Sequence, residues 1–273
     1  MKPWLRAMAL LLAVAASACA SLSQQERARA SALIQEARPR AVDCGRRDAC
    51  AVPSPLHQLG PTAMLESTPD APRHRALILD SGQDALLARI SLLRSATTSI
   101  DLQTYIFDED DAGTLFLDEL LSAARRGVRV RLLVDQLSAL KRVETLAALS
   151  GAHANFAIRI YNPVLDRARL GYVQYLFAAA CCWGSLNKRM HTKLLVVDGE
   201  MTSVGSTNFD IRSFRLNDEA SLNIYDADFA QAMTAVFEHD LESAKRYTHE
   251  MWVNRPWREK MAERFTLPFK SQL

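Results

Sequence analysis

The strongest constraint on the fold is an alternation of short apolar runs and amphipathic segments that begins after Arg75. Apolar side chains that alternate or run together over a few positions predict strands, and apolar side chains at helical spacing predict helices. The predicted strands are 76–80, 99–107, 128–134, 157–161 and 220–225, and the predicted helices are 83–94, 115–126, 145–149 and 228 to about 246. This order predicts an α/β fold with a mainly parallel or mixed central sheet flanked by helices.

A second pattern combines a predicted hairpin with candidate catalytic residues. The stretch HTKLLVVDGEMTSVGSTN has the spacing H-x-K-x4-D-x6-G-S-x-N, with apolar runs at 194–197 and 201–204 on either side of an Asp-Gly turn. His191 and Lys193 are two residues apart, so on a strand their side chains share a face. This pair suits attack on a phosphodiester, because the ammonium neutralises the non-bridging oxygens while a neutral imidazole nitrogen attacks phosphorus.

Ser206 and Asn208 are candidate phosphate-binding residues. They follow Gly205, which permits close backbone approach, and their side chains can donate hydrogen bonds to the same phosphate oxygens. Because Lys193, Ser206 and Asn208 supply the charge stabilisation, this chemistry requires no metal and no other cofactor. The five cysteines form no pattern with zinc-ligand spacing.

The spacing of this stretch resembles the HKD signature of the phospholipase D superfamily. The next stretch, NFDIRSFRLNDEASLNIYD, is similar to the corresponding part of bacterial cardiolipin synthases. The resemblance implies a phospholipase D-like fold, with His191 as the nucleophile, Lys193 beside it and Asp198 as the acid of the motif. It also implies that Glu219 hydrogen-bonds the nucleophilic His191 and fixes its tautomer.

Only one copy of the motif is present, whereas cardiolipin synthases and exported phospholipase D-like lipoproteins usually carry two. Residues 99–136 resemble the opening of their first copy, and the chain from Met190 onward resembles the end of their second. By this resemblance the strand that carries Gln103 and Tyr105 runs beside the site. These two side chains are either contacts of the phosphate or headgroup, or an ordinary polar strand face.

One motif supplies one histidine, but the chemistry needs a nucleophile and an acid for the leaving oxygen. The small single-motif endonucleases of the superfamily form homodimers, and the resemblance implies the same here, with His191 of the partner subunit as the acid. The alternative is a chain that has lost half of the site and with it catalysis. In a monomer, His239 and His249 would be the next candidates for the acid.

The N-terminus predicts export. Residues 1–18 combine a basic start, an apolar run and small residues, which is typical of a signal peptide too short to remain as a spanning helix. Ala16-Ser17-Ala18-Cys19 resembles a bacterial lipobox with Ala in place of the usual large aliphatic residue, which predicts lipidation of Cys19. The residue after Cys19 is Ala20 and not an aspartate, which resembles the sorting signal for the outer membrane and not that for the inner membrane. Ordinary cleavage after Ala18, giving an unanchored periplasmic protein, is the alternative.

These patterns divide the chain into a signal peptide (1–18), an N-terminal tether (19–72) and a phospholipase D-like domain (73–273). Prolines recur along the second half of the tether, which is typical of a linker. The tether also holds Cys44 and Cys50, which are close enough for a disulfide in an oxidising compartment. The protein is therefore predicted to lie in the bacterial periplasm as a lipid-anchored chain. The outer membrane is favoured over the inner membrane as the site of the anchor.

Charge argues against a dedicated nucleic-acid binder. Without Lys2 and Arg6 of the signal peptide, the 33 Lys and Arg residues fall to 31, equal to the 31 Asp and Glu residues. The predicted function is a cardiolipin synthase-like phosphatidyltransferase or phosphodiesterase that acts on phospholipids at a membrane through a phospho-histidine intermediate. The alternatives are a single-motif nuclease and a non-catalytic lipid-binding lipoprotein.

Overall fold

A computed structural model describes residues 51–71, 73–135, 143–161 and 190–246, together with Arg29. Several predictions concern residues outside these ranges: the signal peptide, lipidation of Cys19, the Cys44–Cys50 disulfide and a role for His249. They remain predictions.

The described residues form one sheet of eight strands with helices on both faces. The strands are β1 (Arg75–Leu79), β2 (Ser99–Thr104), β3 (Arg129–Asp135), β4 (Phe156–Tyr161), β5 (Leu194–Val197), β6 (Met201–Gly205), β7 (Ser221–Tyr225) and β8 (Ala244–Arg246). The α-helices are α1 (Leu59–Glu66), α2 (Gly82–Ser95), α3 (Asp111–Arg125), α4 (Val143–Ala152), α5 (Ile211–Arg215) and α6 (Ala227–Glu242), and a 3-10 helix spans Pro55–Gln58. None of the helices in the described ranges is long and apolar enough to cross a membrane.

The strand order is β1-β7-β6-β5-β2-β3-β4-β8. The β2–β3 and β3–β4 pairs are parallel and the other neighbouring strands are antiparallel, which confirms the predicted mixed sheet. Alternate residues of β3 and β5 enter two separate cores, because successive side chains point to opposite faces. Ile100 and Leu102 pack in the larger core with α2 and α3, whereas Leu194 and Val196 pack in a smaller core with α6.

Several predicted boundaries are wrong, and two of them have a clear structural reason. The strand predicted to reach Phe107 ends at Thr104, because Phe107 leaves the sheet and forms an isolated parallel bridge with Phe209. The last described helix ends at Glu242 rather than near Arg246, because residues 244–246 pair with the edge of β4 and satisfy their backbone hydrogen bonds there.

The end of the segment predicted as a tether is folded. Ser54 caps the 3-10 helix by accepting a hydrogen bond from the backbone N–H of Leu56 at 3.3 Å, and Pro55 occupies the first helical position. In α1, Ala63 is buried, and a Cβ atom added at Gly60 would lie 3.7 Å from Tyr225. The short helix therefore packs closely against the sheet.

Candidate active site

The motif histidine and lysine lie at one edge of the sheet. They directly precede β5, which is antiparallel to β2, with Leu194 opposite Gln103. They therefore lie at the edge where the parallel strands β2 and β3 end. Ligand sites of open α/β sheets are commonly found beyond the carboxyl ends of the strands.

His191 and Lys193 are in contact, as the two-residue spacing predicts. Lys193 Nζ lies 3.3 Å from His191 Nδ1 and donates a hydrogen bond to the backbone oxygen of His191 at 3.0 Å. An ammonium group has no acceptor, so a charged Lys193 can only donate in this contact, with Nδ1 as the acceptor. The imidazole is exposed, whereas the lysine is buried, with 7% of its surface accessible. The nucleophile is thus accessible from outside, with the cation behind it.

Burial and a nearby carboxylate shift the pKa of Lys193 in opposite directions. Loss of hydration lowers the pKa of the Lys193 ammonium, and the negative charge of Glu219 partly offsets this effect by raising it. A phosphate oxygen that replaced the lost water would stabilise the charged form. This environment suits a cation whose ligand is an anion.

Tyr105 joins the same cluster. Its ring centroid lies 5.1 Å from that of His191, and Lys193 Nζ lies 5.6 Å from the Tyr105 centroid. The second distance is within the range of a cation–π contact. Of the two alternatives for Tyr105, the structure favours a place beside the histidine over an ordinary strand face.

Asn208 is held at the site by the segment that follows β2. Its Oδ1 accepts a hydrogen bond from the backbone N–H of Ile106 at 3.3 Å, and the N–H of Phe209 donates to the Ile106 oxygen at 3.1 Å. Within the described ranges, Asn208 Nδ2 has no hydrogen-bond partner. The side chain is therefore fixed through its oxygen, and its two amide hydrogens remain for an incoming oxygen.

Ser206 is exposed, and its hydroxyl already has a partner in the backbone. The N–H of Ala220 donates to Ser206 Oγ at 3.1 Å, and the Ser206 N–H donates to the Ala220 oxygen at 3.0 Å. This pair ties the end of β6 to the start of β7. Ser206 thus helps to shape the segment that carries Asn208.

The expected hydrogen bond between Glu219 and His191 is absent from the described structure. Glu219 Oε1 accepts instead from Ser213 Oγ at 3.2 Å and from Asn217 Nδ2 at 3.3 Å. These partners are close in sequence, so they reach the carboxylate without a long-range contact. Glu219 acts on the site through its charge, by its effect on Lys193.

Assignment of Asp198 to the catalytic group is corrected. This residue follows β5, at the opposite end from Lys193, and four strand residues at about 3.3 Å each separate the two. Its carboxylate accepts hydrogen bonds from the backbone N–H groups of Thr97, Thr98 and Ser99 at 2.7–3.2 Å. Asp198 therefore anchors the hairpin turn to the start of β2.

Gln103 is likewise not one of the accessible site residues. It is fully buried, and its Nε2 donates to Asp240 Oδ2 of α6 at 2.5 Å. Alternation along β2 directs Gln103 toward the core that contains α6. Gln103 is therefore neither a substrate contact nor part of an exposed polar face, but packs between the sheet and this helix.

Sequence reasoning missed Arg89, which lies in α2 and is 1% exposed. It donates through Nη2 to Ser221 Oγ at 2.9 Å and to the backbone oxygen of Thr207 at 3.4 Å. Thr207 lies between the two predicted phosphate-binding residues. The available signal was a cation at helical spacing between Leu86 and Leu93, within an otherwise apolar face.

Groups of three or more His, Cys, Asp or Glu side chains that could hold a metal ion do not occur among the described residues.

Comparison with known proteins identifies relatives among cardiolipin synthases. A Helicobacter pylori (strain ATCC 700392 / 26695) protein described as uncharacterized is 35% identical over 184 residues, which cover 67% of this chain and 35% of that protein. Cardiolipin synthase C of Escherichia coli K12 is 33% identical over 171 residues, covering 62% and 34%. This chain therefore spans about a third of the length of the curated relatives it matches. Among solved structures, the phospholipase D family member Nuc from Salmonella typhimurium aligns with a TM-score of 0.48 and 18% identity, over 64% of this chain and 99% of that chain.

The family described as "Cardiolipin synthase, PLD-like domain" matches residues 90–241, more than half of the chain. The match includes the HKD motif and confirms the resemblance drawn from it. The chain belongs to the phospholipase D superfamily, in the family of cardiolipin synthase phospholipase D-like domains.

Proposed function

We propose that this protein is a phosphatidyltransferase or phosphodiesterase that acts on phospholipids through a phospho-histidine intermediate. The observation that carries this proposal is the exposed His191 imidazole in contact with the buried Lys193 ammonium, within a family of cardiolipin synthase domains. Tyr105 and the amide of Asn208 complete a polar edge that fits a phosphate group.

In the first step, the phosphate oxygens bind Lys193 Nζ, which draws the ammonium away from the imidazole. The unprotonated nitrogen of His191 then attacks phosphorus and forms a P–N bond, while the P–O bond to the leaving alcohol breaks. Lys193 and Asn208 stabilise the charge on the non-bridging oxygens. The leaving oxygen takes a proton from a second imidazole, which is thereby left neutral.

The second imidazole is supplied by a homodimer. Exposure of His191 permits the motifs of two chains to face each other across a two-fold axis. In this arrangement one His191 attacks while His191 of the partner subunit protonates the leaving group. His239 is a poorer candidate, since it is exposed on α6 and lies 3.6 Å from its partner Glu242.

In the second step, an acceptor hydroxyl loses its proton to the neutral second imidazole and attacks phosphorus. The P–N bond breaks, which restores His191. Phosphatidylglycerol as the acceptor gives cardiolipin, and water gives phosphatidic acid. The proposed export and lipidation of Cys19 would place the site beside such substrates, and the mass and detergent partitioning of the mature chain would test this anchor.

Replacement of His191 with Ala tests the proposal. Purified protein is incubated with phosphatidylglycerol vesicles, and the lipid products are separated and identified by mass spectrometry. We expect turnover by His191→Ala to fall more than about 100-fold, because the covalent intermediate is lost. Unfolding temperature should change little, because the side chain is exposed. Wild-type protein stopped during turnover under alkaline denaturing conditions should carry the phosphatidyl group on His191.

The matched control is His239→Ala, which removes an exposed histidine from α6 and should keep wild-type turnover. Full activity of His191→Ala, or a phosphate label on another residue, would show that the nucleophile is misassigned. Cleavage of DNA with no turnover of lipid would show that the substrate is a nucleic acid and not a phospholipid. If the wild-type dimer binds the vesicles but turns over no lipid, the protein is a lipid-binding protein without catalytic activity.

A further inference from the structure

Arg89 is a buried cation with incomplete hydrogen bonding. Its Nη2 has the two partners Ser221 and Thr207, but Nε and Nη1 are buried and have no partner in the described structure. The guanidinium carbon lies 5.1 Å from the ring centroid of Phe209 and 5.7 Å from that of Phe214. Burial lowers the pKa of Arg89 to about 10, although the charge of Glu219 acts in the opposite direction.

A charge in this position contributes little to stability. Removing an arginine from water costs free energy that incomplete hydrogen bonds do not recover, and apolar replacements of buried charges are often neutral or stabilising. If residue 89 only filled space in the core, a methionine of similar length would pack there equally well. An explanation of the charge has to come from what the guanidinium contacts.

Those contacts all lead to the candidate site. Thr207 precedes Asn208 directly, and its Oγ1 lies 2.9 Å from Ser221 Oγ, the other partner of Arg89. Phe209 follows Asn208, so the arginine contacts both sequence neighbours of that residue. Phe214 follows Ser213, which donates to Glu219. Arg89 thus lies behind both the phosphate-binding segment and the carboxylate.

We propose that Arg89 is a positioning residue of the phosphate site. Through Thr207 and Ser221 it holds the segment that presents the Asn208 amide to the phosphate. The effect on turnover rests on the proposed function, whereas the effect on phosphate binding does not.

Two variants separate the charge of Arg89 from its hydrogen bonds. Arg89→Met removes both, and Arg89→Lys keeps the charge but loses the planar fork of donors. The control is Arg94→Met on the same helix, which removes a half-exposed arginine paired with Glu119. Three quantities are measured for each protein: the dissociation constant for inorganic phosphate by calorimetry, KM and kcat with phosphatidylglycerol vesicles, and the unfolding temperature.

We expect Arg89→Met to bind phosphate about tenfold more weakly, since one charged support of the site is lost. Its KM for phosphatidylglycerol should rise more than its kcat falls, because the amide that binds the phosphate is no longer held in place. Arg89→Lys should restore only part of the phosphate affinity, because the charge is kept but the planar fork of donors is lost. Arg94→Met should match wild type in both quantities.

Wild-type phosphate affinity and an unchanged KM in Arg89→Met would overturn the proposal, since they would leave Arg89 with a packing role only. If Arg89→Met does not fold, Arg89→Lys decides: unchanged phosphate affinity in that variant would contradict the positioning role. If wild-type protein turns over no lipid, the proposed function fails, but weaker phosphate binding by the Arg89 variants would still support this inference.

Discussion

At the scale of single residues, Asp198 connects the catalytic motif with the rest of the fold. Its carboxylate accepts three backbone hydrogen bonds and two from threonine hydroxyls, and His57 Nε2 lies 3.1 Å from Oδ2. Burial alone would raise the pKa of Asp198, but the hydrogen bonds from Ser99, Thr98 and Thr97 outweigh it, so that the pKa is lowered. The ionised carboxylate therefore stabilises the folded state.

Replacement of Asp198 with Asn should lower the free energy of unfolding by about 2 kcal/mol at pH 7, because the hydrogen bonds lose their charged acceptor. Since the folded-state pKa lies below the ordinary value of 3.8, the wild-type advantage is present above that pH and is lost as pH falls through the lowered pKa. Urea unfolding at pH 7 and pH 3 should show the difference between the two proteins shrinking. Turnover per folded molecule at pH 7 should be retained.

The control for this change is Asp70→Asn, which alters an exposed carboxylate in a turn and should leave unfolding unchanged at both pH values. A stability difference of equal size at pH 7 and pH 3 would mean that the charge of Asp198 is not responsible. Loss of turnover in fully folded Asp198→Asn would return this residue to the catalytic group.

At the scale of elements, the β5–β6 hairpin and the neighbouring β6–β7 strand pair position the site. The β5–β6 turn has positive φ at both central residues, 55° at Asp198 and 69° at Gly199, as in the type I′ turns that suit the twist of a hairpin. The next strand, β6, ends at Gly205, which lies against the start of β7. A Cβ atom at residue 205 would lie 2.2 Å from the Ala220 oxygen and 2.7 Å from Ser221 Cα. The two strands approach this closely only because residue 205 has no side chain.

Gly205→Ala should therefore force β6 and β7 apart. Both clashing atoms belong to the backbone, so no side chain can move aside, and we expect a loss of about 2 kcal/mol in the free energy of unfolding. Turnover should fall further than the folded fraction, because Ser206 and Asn208 follow the displaced strand. Chemical denaturation and the lipid assay at a temperature where the variant is folded measure the two effects.

Gly151→Ala is the matched control. Nothing lies within 4 Å of a Cβ atom added there, and the residue is in α4, where alanine is favoured over glycine by up to about 1 kcal/mol. Equal or greater stability is expected, with normal turnover. If Gly205→Ala behaves in the same way, the close contact between β6 and β7 does not shape the site.

At the scale of the whole molecule, the central question is how one motif completes a reaction that needs two imidazoles. The described structure places one His191–Lys193 pair at the sheet edge, with the imidazole exposed. A two-fold dimer would bring a second, identical pair to the same phosphate. Activity would then depend on both chains of each dimer.

Mixed dimers provide the test. Wild-type and His191→Ala chains carrying different affinity tags are unfolded together, refolded and assayed at several ratios. Activity should follow the square of the wild-type fraction, so an equal mixture retains about one quarter of the wild-type value. A decline in direct proportion to the wild-type fraction, with a monomeric mass by light scattering under assay conditions, would show that one chain completes the reaction.

Local sequence determined most of the strands and helices between residues 75 and 242 and the contact between His191 and Lys193. Apolar periodicity in 83–94 and 99–104 reports local geometry, and a two-residue spacing on an extended chain places two side chains together whatever surrounds them. The spacing of the motif was also sufficient to predict the family.

Tertiary structure alone decided which partners the remaining polar residues have. Asp198 binds residues about 100 positions earlier, Gln103 binds Asp240, and Arg89 reaches Thr207 and Ser221. No periodicity or spacing in the chain encodes such pairs, because the sheet order brings distant segments together. Whether a polar residue serves catalysis or packing depends on those long-range partners, since most buried polar groups are hydrogen-bonded wherever the fold places them.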